Sequence, residues 1–361
     1  MPEPSEFAPA SQPAASPAAT RPRAVTPVRN KHTLVPVDPV TQAIWNYANA
    51  SPMRSLWKPR DVSWMVIVKR TIHAFIEDDL VSRAAELGYF FFLALFPALI
   101  AVSSILGLIA KSGNGVEVQL LNYLAVVVPP SAMSLVLTTV NETAVHSSGG
   151  KVTFGILVAL WSASVGFSAI QDIMNTVYKT RETRPYWKAK GASILVTILL
   201  AVLMVVLLAF LLMGTYLAHL LRHHTPPHTG YVMAIGVHLL CDALSLGVLM
   251  VLFAVIFYYA PDVEKKSWRW LSPGAALAIV CWVLASVALR IYLHYFNSYS
   301  ATYGSLGAVI ILLTWFYITG LALLLGAEFN SEIQVSVAEQ HMKKTGQIDS
   351  AASADPEAAI V

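Results

Sequence analysis

Six long apolar runs, almost free of charge, divide this chain. Leu87 to Ala110 is a run of 24 residues. Val152 to Ile170 gives 19, and its helix is predicted to continue through Asn175. Gly191 to Leu221 gives 31, too few for two crossings at about 20 residues each. The fourth run spans about 234–260 and is interrupted by Asp242. Trp270 to Leu289 gives 20 and extends past Arg290 to about Tyr295, and Leu306 to Ala327 is the sixth. Each is long enough to cross the hydrocarbon core of a bilayer as a helix. Backbone polar groups must be satisfied internally there, so helix is the expected state. The pattern predicts an all-α polytopic membrane protein with six transmembrane helices.

Two further stretches are periodic but too short or too polar to span. Trp64-Met65-Val66-Ile67-Val68, flanked by Trp57, Lys69 and Arg70, predicts a helix lying at the membrane surface. Between the first two spans, Leu120, Leu121, Leu124, Val127 and Val128 share one helical face until Pro129-Pro130 breaks it. Met133, Val136, Leu137, Val140 and Ala144 line a second face behind a Ser131 N-cap. These predict two amphipathic helices at about 116–146 on the outer surface. The triplet Asn141-Glu142-Thr143 matches a glycosylation sequon and carries no weight alone. Residues 1–40, with nine of the chain's 20 prolines by residue 39, are predicted to be a disordered Pro/Ala-rich tail, and no apolar signal segment follows their basic residues. The remaining divisions are cytoplasmic or interfacial helices at 41–85, a membrane domain at 86–330 and a cytoplasmic tail at 331–361.

Composition agrees with a bilayer environment. Charged residues make up 12 % of the chain, and mean hydropathy is +0.60; soluble domains carry about 25 % charged residues. Cys241 and Cys281 both sit in apolar runs and form no CxxC pair, so they read as buried core residues rather than redox or zinc ligands. Charge placement adds orientation. Of the 24 Lys and Arg residues, 20 fall on one side: the first 87 residues, the 179–190 loop, the 265–269 loop and the C-terminal tail. Only Lys111, Lys151 and Arg222 fall on the other, and Arg290 lies inside a span. Cytoplasmic loops carry the Lys/Arg excess, so both termini are predicted to be cytoplasmic.

Ionisable groups inside spans are costly and mark sites or locks. Asp242 lies 25 residues before Ser267, the centre of the basic loop, and Arg290 lies 23 after it. In an antiparallel hairpin both should sit at similar depth, toward the outer leaflet. His238 is one turn from Asp242, and His294 is one turn from Arg290. The placement suggests a polar cluster between spans four and five. It reads either as an ion pair locking the hairpin or as a substrate or proton site. At the inner end of span two, Gln171, Asn175 and Tyr178 share a face, with Asp172 beside them, and Arg83 and Glu86 open span one at the same level. Glu86, Gln171, Asp172, Asn175 and Tyr178 are candidates to line an inner vestibule; the structural alternative is capping and interhelix hydrogen bonding. His219, His223, His224 and His228 have i, i+4 spacings that suit a metal, but Pro226-Pro227 breaks the helix before His228 and no carboxylate or thiol accompanies them. They read as a solvated loop. No Walker A, GxSxG or HExxH motif is present, and Gly304, Gly307, Gly320 and Gly326 fit helix packing. No catalytic residue, metal site or cofactor is assigned.

The ordered set of local motifs carries a resemblance. Ala84-Ala85-Glu86-Leu87-Gly88-Tyr89 leads to Phe96-Pro97, then Trp161-Ser162 and Asn175-Thr176-Val177-Tyr178, with Pro185 following. Tyr258-Tyr259-Ala260-Pro261-Asp262 and Pro273-Gly274-Ala275 come next. Tyr303-Gly304-Ser305-Leu306-Gly307-Ala308, Trp315, Tyr317 and Gly326-Ala327-Glu328-Phe329-Asn330 close the set. Over roughly residues 60–335 this resembles the YihY/BrkB family of bacterial inner-membrane proteins. The resemblance implies six spans and an inner-membrane location. Members are often labelled ribonuclease-BN-like, one branch is tied to virulence and serum resistance, and another to export of lipopolysaccharide precursors. Glu86 departs from the small or apolar residue usual in the first motif, and the N-terminal tail is additional.

The resulting expectation is a transporter or exporter of an amphiphilic lipid or envelope precursor, surrounded by membrane lipids and with no nucleic-acid partner. A membrane scaffold that binds a partner without transport is the alternative. A ribonuclease is disfavoured, because the HxHxDH pattern of metal-dependent tRNA-processing enzymes is absent and basic loops are what membrane topology itself produces.

Overall fold

The computed structural model describes residues 39–50, 62–110, 149–224, 226–264, 266, 268, 272–295 and 305–348. Within them lie eight helices: α1 (Pro39–Ala50), α2 (Trp64–Glu77), α3 (Leu80–Ala110), α4 (Gly149–Val177), α5 (Tyr186–His224), α6 (Pro227–Tyr259), α7 (Pro273–Tyr295) and α8 (Ser305–Lys344). No strand occurs among the described residues. Helices α3 to α8 are the six long and apolar enough to cross a membrane. The predicted N-terminal tail up to residue 38, the predicted amphipathic helices at about 116–146 with Asn141, and the last 13 residues lie outside the described residues, and the tail's last two predicted residues, Pro39 and Val40, instead open α1. The side chains of His219, His223, His224 and His228 also fall outside that description.

Helix boundaries follow capping and composition. Ser63 precedes α2 in extended conformation, and its carbonyl accepts the Val66 and Ile67 amides at 3.0 and 3.3 Å. Asp78 and Asp79 then separate α2 from α3, with Asp79 in the left-handed region at φ 52°. α3 therefore begins seven residues before the uncharged run of span one. It carries Arg83 and Glu86 on its first turns and Pro97 inside it. α5 is one unbroken helix of 39 residues, as expected for a single span. Tyr186 and Trp187 stand exposed at its start, where amphipathic rings favour the membrane–water interface. α8 has 40 residues, hence about 60 Å at 1.5 Å per residue. That is twice the ~30 Å hydrocarbon thickness, so its last turns stand outside the bilayer. The helix thus continues unbroken through the predicted start of the C-terminal tail.

Packing runs in the order α7, α8, α3, α4, α5, α6. Small residues allow the closest approaches. On Gly320 of α8 a Cβ would lie 3.0 Å from the Ala84 carbonyl oxygen, and on Gly88 it would lie 3.2 Å from the Tyr317 nitrogen. At the N-terminal end of α7 the approach is tighter still: a Cβ on Gly326 would stand 2.4 Å from the Gly274 oxygen. The main core lies toward this end of the bundle. It joins Leu87 of α3, Ile173 and Met174 of α4, Val255 of α6 and Leu324 and Ala327 of α8. α1 and α2 cover the same end. Ile44 and Ala48 pack on Ala338 and Met342, and Ile67 packs on Phe329 and Ile333. The opposite face of α2 leaves Met65, Ile72 and Ile76 exposed.

The opposite half is looser. α6 leans on α5, and α7 leans on α8. Although joined by a short loop, α6 and α7 touch only slightly. Pro273, Gly274, Ala275, Ala278 and Ile279 of α7 are buried, but no described residue of α7 beyond Ile279 is.

Candidate functional site

The halves of α6 and α7 away from the main core carry the predicted mid-span charges. His238 Nε2 and Asp242 Oδ2 approach to 3.6 Å, one turn apart on α6, with Asp242 about half exposed. Gly214 of α5 makes room here; a Cβ on it would lie 2.8 Å from Cys241 Cβ and 3.4 Å from His238 Nδ1. Arg290 and His294 lie on exposed faces of α7. The four residues do not close into one cluster, and Arg290 forms no ion pair with Asp242. Equal depth in a hairpin fixes neither helix rotation nor adjacency. Here each helix takes a different neighbour, α5 or α8, and the charged faces are left apart.

The ends of α4 and α5 that adjoin their connecting loop hold a buried polar seam. Ser193 Oγ donates to Gln171 Oε1 at 2.5 Å and lies 3.1 Å from Ser168 Oγ, which itself bonds the Ser164 carbonyl at 2.9 Å. Ser164, Ser168 and Gln171 occupy one face of α4 at i, i+4 and i+7. Small hydroxyl residues let the backbones approach and supply hydrogen bonds in place of water.

Asn175 is the hub below this seam. Its amide Nδ2 donates to Glu182 Oε2 at 3.1 Å, and its Oδ1 accepts the Asp262 amide at 2.7 Å. The Asp262 carboxylate accepts the Thr183 amide and hydroxyl at 2.8 and 2.7 Å. Arg184 forks onto both oxygens of Glu182 at 2.6 and 2.7 Å. Burial opposes ionisation of Glu182, but hydrogen bonds from Arg184 and Asn175 outweigh it and hold the carboxyl below its ordinary range. The α4–α5 loop is thereby tied to the α6–α7 loop.

Of the vestibule candidates, Gln171, Asn175 and Tyr178 are buried, but they serve helix contacts. Tyr178 joins the core, and its carbonyl accepts Asn49 Nδ2 at 3.0 Å. Asp172 and Glu86 are exposed.

A third group was not singled out from the sequence. Lys179, in the left-handed region at φ 47°, pairs with buried Asp78. Burial pushes the Asp78 carboxyl up, against the pull of Lys179. Glu328 of α8 is fully buried near them. At the start of α7, Asn330 Oδ1 accepts the Gly274 amide at 2.9 Å and its Nδ2 donates to Ser272 Oγ at 3.0 Å. Signals did exist: Asp262, Glu328 and Asn330 stand in the ordered motifs, and Glu328 is the first charge after a 22-residue uncharged run.

These motif residues are also where relatives become informative. The family model for virulence factor BrkB matches residues 71–349, which includes every residue of the inner networks except Asn49. The chain is 35 % identical over 255 residues to the ribonuclease-like protein YfkH of Bacillus subtilis, covering 69 % of this chain and 88 % of that one. It is 28 % identical over 275 residues to a UPF0761 membrane protein of Stenotrophomonas maltophilia, covering 72 % of this chain and 59 % of that one. A UPF0761 membrane protein of Verminephrobacter eiseniae is 27 % identical over 278 residues, 73 % of this chain and 61 % of its own. The chain thus spans about three fifths of the length of these UPF0761 relatives. No solved structure matches it. With six membrane-length helices and the family match over most of its length, this chain belongs to the BrkB family and is a multi-pass bacterial membrane protein.

Proposed function

We propose that this protein is an inner-membrane transporter or exporter of an amphiphilic substrate, such as a lipid or envelope precursor, with both termini in the cytoplasm. The observation that carries the reading is the exposure of Asp242 and Arg290 on the outer halves of two helices that barely touch. Charges in a span do not face hydrocarbon; they face protein or water. A cleft between α6 and α7 would give Asp242, His238, Arg290 and His294 a wet surface for a polar headgroup. The apolar flanks, such as Leu239 and Val287, would meet an acyl chain. The inner end is sealed by the Asn175 network and the packed core, which suits an arrangement open outward and closed inward.

Orientation has its own support. α1, the basic 178–185 loop and the end of α8 lie together through Asn49 with Tyr178 and Ile44 with Ala338. The Lys/Arg excess supports a cytoplasmic location for that end. The same sealed inner half favours the second reading, a membrane scaffold that holds a partner and transports nothing. YfkH is named ribonuclease-like, yet among the described residues no three His, Cys, Asp or Glu side chains converge to hold a metal ion, as a two-metal nuclease would need. We read the protein as not an enzyme.

The test is thiol accessibility in intact cells, in a chain lacking Cys241 and Cys281. Single cysteines replace Asp242 and Arg290, with Val205, on the exposed apolar face of α5, as the lipid-facing control. Labelling of both sites by a membrane-impermeant reagent, and not of the control, supports a water-filled path. Protection of both in folded protein removes the path and leaves the scaffold.

A further inference from the structure

Glu328 is the most deeply buried charge-bearing residue of the described bundle, with no exposed surface. Neither of its carboxylate oxygens has a hydrogen-bond partner. The ionisable groups around it come from three elements. Glu77 and Asp78 end α2, Lys179 lies in the turn after α4, and Glu332 is one turn along α8. Arg70 of α2 acts on Glu332, but its guanidinium is committed to Glu339 at 2.8 Å. Lys179 is likewise committed to Asp78 Oδ1, and Asp78 Oδ2 is itself without a partner. Three buried acids, Asp78, Glu328 and Glu332, therefore face one half-buried ammonium.

An ionised carboxylate in an apolar core, with no donor to receive its lone pairs, costs far more than a neutral acid. Neighbouring like charges from Asp78 and Glu332 act in the same direction. A divalent cation is the other way to neutralise such a group. Among the described residues, however, no three His, Cys, Asp or Glu side chains converge closely enough to hold a metal ion. A proton needs only one oxygen.

We propose that Glu328 is a proton-binding site, occupied at neutral pH, at the inner end of the bundle. It sits between the helices that close that end, beside the tight α7–α8 crossing at Gly274 and Gly326. Loss of the proton would place an uncompensated charge in the packed core and loosen the seal. Coupling of that event to substrate movement rests on the transport reading; occupancy of the site does not, and the test reads occupancy alone.

The experiment is infrared spectroscopy of the purified full-length protein in nanodiscs, titrated from neutral to alkaline pH, with thermal unfolding in parallel. The wild type is expected to show the carbonyl stretch of a protonated, buried carboxylic acid at neutral pH. E328Q should lose it, E328D should shift it, and E332Q should keep it. A proton held in the fold but not in the unfolded chain stabilises at low pH, and that stability is lost as pH rises through the folded-state value. Wild-type Tm should therefore fall on alkalinisation, with a weaker fall in E328Q. Absence of any carboxylic-acid band in the wild type at neutral pH overturns the proposal without needing a variant. A band that survives unchanged in folded E328Q and E328D also overturns it.

Discussion

Gly274 and Gly326 cross backbone to backbone, so close that a Cβ on either would collide with the other's carbonyl oxygen, at 2.0 and 2.4 Å. The crossing lets Asn330, one turn along α8, reach the Gly274 amide at 2.9 Å. Ser272 Oγ accepts the Ala275 amide at 3.1 Å, so two side chains satisfy orphan donors at the first turn of α7.

That geometry sets the first prediction. G274A and G326A should each lose about 3 kcal/mol or fail to accumulate, at or beyond the upper end for overpacking because backbone rather than a flexible side chain is struck. G236A and G247A meet nothing within 4 Å. They should be neutral or gain roughly 0.5 kcal/mol, since glycine inside a helix carries an entropic penalty. Thermal unfolding of the four purified variants reads the difference.

Lys179 and Asp78 give the second. K179M leaves Asp78 buried without its cation, and breaking such a pair costs 3–5 kcal/mol. With the Lys179 side chain 31 % exposed, the expectation is the lower end, about 3 kcal/mol. The double variant D78N/K179M should recover much of that loss, because no charge is stranded. Equal destabilisation of single and double variants would assign the effect to packing.

The Glu182–Arg184–Asn175 network gives a pH prediction. The folded-state carboxyl is held below its unfolded value. Its contribution is therefore fully present above the unfolded pKa and is lost as pH falls through the folded one. Wild-type Tm should drop on acidification from neutral pH toward that range. E182Q should start lower at neutral pH and lose less on acidification. A Tm profile for E182Q parallel to wild type would remove Glu182 from the account.

Asp242 and Arg290 give the fourth. The absence of an ion pair between them means that D242R/R290D should not restore what either single charge reversal loses. Complementation assays with the single and double variants decide it. Full restoration would reinstate the direct pair.

Much of the bundle was legible before any coordinates. A run of about 20 uncharged residues has one stable state in hydrocarbon, a helix with every backbone bond internal. The six spans and the single long third span follow from that. Gly326 and Asn330 were visible as motif members. Their roles were not, because a short motif does not say which helix it meets.

What the sequence determined by itself was length, polarity and charge distribution: six apolar helices and a short amphipathic one starting at Trp64. These depend on each residue's own transfer free energy between water and hydrocarbon. What only the tertiary structure decided was helix rotation and neighbour choice. Asp242 and Arg290 have matching depths, yet α6 packs on α5 and α7 packs on α8. Asn175 and Asp262, 87 residues apart, meet because two loops fold onto one inner end. Partner choice depends on how whole helix surfaces interlock, with glycines permitting one crossing and larger side chains blocking others, and that sum over many contacts is not carried by any local run of residues.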